Sequence, residues 1–210
     1  RLGPSVSVDD PHTLRERLRE NVRRELREAA LELFARDGYA ATSVDDLARG
    51  AGVSRSTFFR YFGSKEALLL REAEESTGLY LQILGGRPAH EDRLEALEES
   101  LIEFAELVRT DERRHEAVLA SMIIESDASL TASQAALRAH SRRDVARVLA
   151  HRGGRSEPDI EDVLGSAVLG QLVELVSDRW TSSDDAVPVR DLIRSQFASL
   201  RNLVSGARPS

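Results

Sequence analysis

The sequence predicts an all-α protein in two parts: a small N-terminal part of three helices containing a helix-turn-helix, then a larger helical C-terminal part. Three observations predict it. Apolar residues recur every third or fourth position through most of the 210 residues, the period of an amphipathic helix. Pro11, Pro88, Pro158 and Pro188 leave long stretches between them free of the residue that breaks helix interiors. No segment alternates apolar and polar residues for long enough to make a strand.

The first helix is marked by Leu14, Leu18, Val22, Leu26, Ala30, Leu33 and Phe34, one apolar stripe among alternating Arg and Glu. Those charges read as a solvated face laced with ion pairs. Asp37 and Gly38 end it, with Gly38 suited to a left-handed cap. Ser43 followed three residues later by Asp46 is a capping box, which opens a short helix through Leu47, Ala48 and Ala51 that Gly52 stops. Ser54 is a second N-cap, and Val53 with Phe58 has the spacing of a hydrophobic staple, so a third helix starts at Arg55 and runs to about Phe62. Gly63 and Ser64 break and recap the chain before Lys65 begins a longer helix to about Leu84. Further helices are expected near 91–109, 111–126, 130–151, 158–179 and 188–205, separated by Gly, Pro, Asp and Ser.

Composition excludes several classes of function. With no cysteine there are no disulfides, thiolate metal sites or cysteine nucleophiles. No apolar run reaches the ~18 to 20 residues that span a bilayer, and the start lacks the order of a signal peptide, so a cytoplasmic protein without membrane partners is expected. The patterns of a serine nucleophile elbow, a P-loop, a zinc-protease helix and a dinucleotide fold are all missing, and the five histidines are scattered. No enzyme activity, cofactor or metal is therefore expected. The net charge of −7 argues against a broad polyanion-binding face. It is unevenly placed: residues 1–70 carry twelve Lys or Arg against eleven Asp or Glu, and the rest carry seventeen against twenty-five. From Leu47 to Lys65 there are four cations, Arg49, Arg55, Arg60 and Lys65, with aromatics among them and no acid.

Two short helices joined at Gly52, with Phe58 and Val53 fixing their angle, leave Arg55, Ser56, Phe59, Arg60 and Tyr61 on the outward side of the third helix. Guanidinium groups, hydroxyls and aromatics suit phosphates and base edges. The string TSVDDLARGAGVSRSTFFRYFGSKEAL, residues 42–68, closely resembles the DNA-binding signature of the TetR family of bacterial transcription regulators. The resemblance implies a DNA-binding domain over residues 1–65 and a ligand-binding, dimerising domain over 66–210. Carried over, it makes Ser43 and Thr57 hydroxyl contacts to phosphate, counts Thr42 among the DNA-binding residues, and makes Arg55 and Ser56 the leading face of the recognition helix. Arg60 becomes a base or phosphate contact, Tyr61 an aromatic contact and Lys65 a phosphate-binding lysine at a helix start. Phe59 stands where the family often has tyrosine, so a hydroxyl contact is lost there.

Phe104, Leu107, Met122, Ile123 and Trp180 are the candidates to line an effector cavity, with ordinary core packing the other reading. The resemblance makes the last two helices the dimer surface, through Leu164, Val168, Leu172 and Leu175, then Ile193, Phe197 and Leu200, with burial of those faces in the core of one subunit the other reading. The implied function is a repressor that binds a palindromic DNA operator as a homodimer and is released by a small-molecule effector. The alternative is a helical small-molecule binding module that has lost DNA recognition.

Overall fold

The computed structural model describes residues 11–108, 111–182 and 188–205, with side chains from Leu18 onward except those of 109–115 and 180–187. Among them lie nine helices and no strand: α1 (Pro11–Asp37), α2 (Val44–Gly50), α3 (Arg55–Phe62), α4 (Lys65–Gly86), α5 (Arg93–Val108), α6 (Asp111–Glu125), α7 (Ala128–Arg152), α8 (Ile160–Ser182) and α9 (Val189–Ser205). The chain divides into two compact units between Leu69 and Leu70, so the first turn of α4 belongs with the N-terminal unit.

In the N-terminal unit, α1 buries Leu26, Ala30, Leu31 and Phe34, while Leu18 is 55% exposed and takes no part in this core. Its charged face pairs as expected, Arg23 with Glu20 at 3.2 Å and Arg24 with Glu28 at 3.6 Å. The Gly38 N–H donates to Phe34 O at a φ of +86°, closing the helix, and Tyr39 then packs on Phe34 with ring centroids 5.1 Å apart. Ser43 caps α2 in a reciprocal box: its Oγ accepts from the Asp46 N–H, and its own N–H donates to Asp46 Oδ2 at 3.0 Å. Gly52 turns the chain at a φ of +64°, which lets the Val53 N–H reach Ala48 O at 2.9 Å. Ser54 caps α3, accepting from the Thr57 N–H at 3.1 Å. Leu47, Ala48, Phe58, Phe62, Leu68 and Leu69 complete the core.

The C-terminal unit is built round α5, whose Ala96, Leu97, Leu101, Ile102 and Ala105 are buried along one face. Leu84, Val145, Leu149, Leu169, Leu172, Val176, Ile193 and Phe197 close over it. Ile193 and Phe197 hold α9 on α5, and ion pairs flank the contact, with Arg190 reaching Glu106 and Arg194 reaching Glu99, while Arg201 reaches the buried Glu98. Asp162, wholly buried in the first turn of α8, accepts from Arg93 Nε at 2.9 Å, from Arg155 and from the Asp159 N–H. Burial pushes its carboxyl up, but these donors outweigh burial and hold it below the usual carboxylate range. At and just beyond the end of α4 the Arg152 guanidinium bonds Leu84 O, Arg87 O and Pro88 O, and the Arg87 N–H also reaches Leu84 O.

Candidate nucleic-acid interface

Helix α3 is eight residues long, too short to hold itself together in water, so its placement comes from caps and packing. Phe58 and Phe62, four residues apart, anchor it on the core with rings 5.8 Å apart. The helical period then turns Arg55, Ser56, Phe59 and Arg60 outward together, all exposed. Phe59 is 41% exposed and held edge-on by Phe58, so it presents an apolar ring at the surface. Thr57 and Tyr61 are half-buried at the margins of this face. The hydroxyls of Ser56 and Thr57 each lie 2.9 Å from Ser54 Oγ, a chain of groups with lone pairs and protons to share at the start of the helix.

The cations of this region are held by partners within the unit. Arg55 Nη1 bonds both carboxylate oxygens of Asp45, at 3.2 and 3.1 Å, and its guanidinium lies 5.5 Å from the Phe59 ring centroid. Arg49 pairs with Asp46 at 2.9 Å. Hydrogen bonds from the Ser43 hydroxyl and N–H, then from Arg49, keep the Asp46 carboxyl below its ordinary range. Arg60 stacks on Tyr61, 5.5 Å from the centroid. Lys65 is turned inward: its Nζ donates to Tyr39 O at 2.8 Å and Thr42 O at 3.2 Å, over the Tyr39 ring. The window from Leu47 to Lys65 hid Asp45 and Asp46, which lie just before it and return to it through the fold. Asp46 was legible as a capping residue; nothing in the spacing marked Asp45 as the partner of Arg55.

Ser43 lies exposed at the start of α2, its hydroxyl donating to Asp46 Oδ2 and accepting from the Asp46 N–H. Thr42 is corrected: it is 3% exposed, and its hydroxyl donates to Gly38 O at 2.8 Å to close the loop after α1, so it faces the core instead of a phosphate.

Of the five cavity candidates, the four whose side chains are described do not share one environment. Leu107 and Met122 are each 63% exposed, because α5 and α6 turn them away from the positions that carry the core. Ile123 is buried, and Phe104 packs edge-on against Tyr80 at 5.9 Å. The side chain of Trp180 lies outside the described residues. A shallow groove of about 320 Å³, largely open to solvent, runs between Leu79, Gln82, Ile83, Gly86, Arg87 and Glu103.

The dimer candidates divide into two groups. Leu164 and Leu175 are exposed and Val168 half-exposed on one side of α8, where Ile160 and Val163, which the sequence reading passed over, extend the same apolar stripe. Leu172, Ile193 and Phe197 are corrected: they are buried in the protomer core, because the apolar face of α9 packs back on α5. Leu200 is half-buried beside them.

Comparison with known proteins agrees with this architecture. The profile described as bacterial regulatory proteins, tetR family, matches residues 26–71, and that of the MftR C-terminal domain matches residues 91–205. The chain is 26% identical over 189 residues to the transcriptional regulator MftR of Mycobacterium tuberculosis (strain ATCC 25618 / H37Rv), whose name ties it to mycofactocin biosynthesis, covering 89% of this chain and 93% of that one. It is 29% identical over 191 residues to the HTH-type transcriptional regulator TcmR of Streptomyces glaucescens, covering 84% of each. Among solved structures, a TetR-family transcriptional regulator from Syntrophomonas wolfei superposes with a TM-score of 0.63 at 17% identity, over 90% of this chain and 97% of that one, a likeness of fold. With one profile on the helix-turn-helix and a second across more than half of the residues, the chain belongs to the TetR family of bacterial regulatory proteins, DNA-binding transcription regulators rather than enzymes.

Proposed function

We propose that the protein is a ligand-responsive repressor that binds a palindromic operator as a homodimer and leaves it when a small molecule occupies the C-terminal unit. The observation that carries this reading is the outward face of α3: two guanidinium groups, a hydroxyl and an aromatic ring on a helix fixed from behind by Phe58 and Phe62. Each subunit would lay α3 in a major groove, with Ser43, Thr57, Tyr61 and Lys65 on the flanking backbone and Arg55, Ser56, Phe59 and Arg60 toward the bases. The dimer's two-fold axis would demand half-sites of matching symmetry. The apolar stripe on α8, with Leu164, Val168 and Leu175, is the surface we assign to the second subunit. Bound at a promoter, such a dimer excludes polymerase by bulk.

Residues 66–210 supply the sensor in this reading. Phe104 and Ile123 remain candidates to line its cavity. A ligand can release DNA only if it binds the released conformer more tightly than the bound one. A 100-fold loss of operator affinity requires roughly 2.7 kcal/mol of such difference, within reach of a few contacts.

Selection of bound sequences from random DNA by the full-length protein tests the reading. The expected result is an inverted repeat whose enriched complexes contain two subunits, with affinity falling steeply as salt rises. Recovery of a lone half-site, or of no sequence at all, would overturn it.

A further inference from the structure

The contact between α2 and α3 carries an inference that rests on Arg55 being a base contact, as proposed above. We propose that Asp45 is a positioning residue: it holds Arg55 in the pose that reads guanine and so sets the discrimination at one base pair of each half-site.

The geometry of the guanidinium makes the argument. Arg55 is the first residue of α3, and the first turn of a recognition helix is the part that approaches base edges. Guanine offers O6 and N7 side by side in the major groove, and reading both takes two parallel N–H donors. Asp45 takes Nη1 alone, at 3.1 and 3.2 Å, which leaves Nε and Nη2, the two donors along one edge of the planar group. The Phe59 ring, one turn along α3, meets the group at 5.5 Å. A carboxylate on one edge and a ring beside it restrict a long side chain that otherwise samples many rotamers, and the free edge remains a two-donor fork.

Stability does not explain the pair. The Arg55 and Asp45 side chains are 62% and 53% exposed, and ion pairs so open to water contribute almost nothing to folding. An acid beside a DNA-reading surface also repels phosphate, so its presence weakens attraction to all sequences alike. The two effects separate cleanly: the repulsion acts on every sequence, the positioning only on the base that Arg55 reads.

The test uses the full-length protein on its selected operator and on operators altered at one base pair at a time. The variants are Asp45→Asn, Asp45→Ala, Arg55→Ala and Asp45→Asn with Arg55→Ala, each checked by circular dichroism for an unchanged fold. Freeing one long side chain that must be immobilised on binding corresponds to about 2- to 12-fold in affinity. Both Asp45 variants should therefore lose about 2- to 12-fold of discrimination at the base pair where Arg55→Ala loses it, and none elsewhere. Affinity for unrelated DNA should rise, and the double variant should discriminate no worse than Arg55→Ala alone. If Arg55→Ala leaves discrimination unchanged everywhere, Arg55 does not read a base and Asp45 has nothing to position. If Arg55→Ala relaxes one base pair while the Asp45 variants only raise affinity uniformly, Arg55 stands as a reader and the positioning role of Asp45 is overturned.

Discussion

Replacing Leu164 by Asp should separate the subunits of a dimer and leave each protomer folded. Leu164 is 57% exposed in the protomer, so the substitution costs the isolated fold little. Complete burial of a leucine contributes ~1.5 to 3 kcal/mol, so covering the exposed share contributes roughly 0.9 to 1.7 kcal/mol in each copy. In a two-fold interface the residue counts twice, which makes the apolar loss alone about 1.7 to 3.4 kcal/mol, or about 20- to 300-fold in the dimer dissociation constant. An unpaired carboxylate in an apolar contact adds to that loss. Sedimentation velocity over a range of concentrations reads the dissociation constant, and thermal unfolding of the monomer reads the fold. Phe197→Asp is the contrasting control: Phe197 is 1% exposed, and a charge there should collapse the protomer itself. A Leu164→Asp protein that stays dimeric at wild-type concentrations would remove this face of α8 from the interface.

Three further outcomes are expected. Lys65→Ala should weaken binding about equally on all DNA sequences and lower the slope of log K against log salt by roughly one unit per subunit; an unchanged slope would leave Lys65 as the anchor of Tyr39 O and Thr42 O alone. Gly52→Ala should destabilise the N-terminal unit by about 1 to 2 kcal/mol, a backbone cost at φ +64° with no steric part, since an added Cβ there meets nothing within 4 Å; an unshifted denaturation midpoint would refute it. Asp162→Ala should cost about 3 kcal/mol, at the low end for a broken buried pair because Arg93 and Arg155 are about one-third exposed and can turn to water. The Asp162 carboxyl is held below its unfolded value of about 3.9, so its contribution is complete above that pH and is lost as pH falls through the lower folded value; a wild-type protein no more acid-sensitive than Asp162→Ala below pH ~4 would contradict this.

The elements were legible where their signals are local. Ser43 with Asp46, Ser54 with Thr57, and the glycines at 38, 52 and 63 fix helix ends through groups two to four residues apart, so a linear reading finds them. The outward face of α3 follows from the same period once Phe58 is placed inward against Val53. What the sequence does not show is the rotation of a helix that is apolar on more than one side. Helix α8 carries Leu164, Val168, Leu172 and Leu175 within three turns, and only the partners of the fold decide that Leu172 joins the core while Leu164 and Leu175 stay outside. Phe197 and Ile193 present the same problem, because an amphipathic α9 needs one apolar partner and the sequence does not say whether that is α5 or a second chain. Thr42 has one hydroxyl and two plausible acceptors, a phosphate or the Gly38 carbonyl, and only the closed loop decides between them.

The near-balance of charge in residues 1–70 has a physical reading once the pairs are known. Arg49 and Arg55 are held by Asp46 and Asp45, and Lys65 by two carbonyls. A DNA phosphate that approaches must therefore compete with a partner already in place, and the contact gains only the difference. Non-specific attraction supplies most of the affinity of strongly basic proteins, and a chain of net charge −7 has little of it to offer. If the protein binds an operator as proposed, affinity must then come from contacts that a cation such as Arg55 makes better on the right sequence than on any other, and from engaging two half-sites at once. In the proposed positioning role Asp45 lowers attraction to all DNA and yet raises the ratio between operator and other DNA, whereas an acid that only repels phosphate leaves that ratio unchanged. That ratio, multiplied by the number of competing sites, is the quantity that decides where a regulator sits on a chromosome.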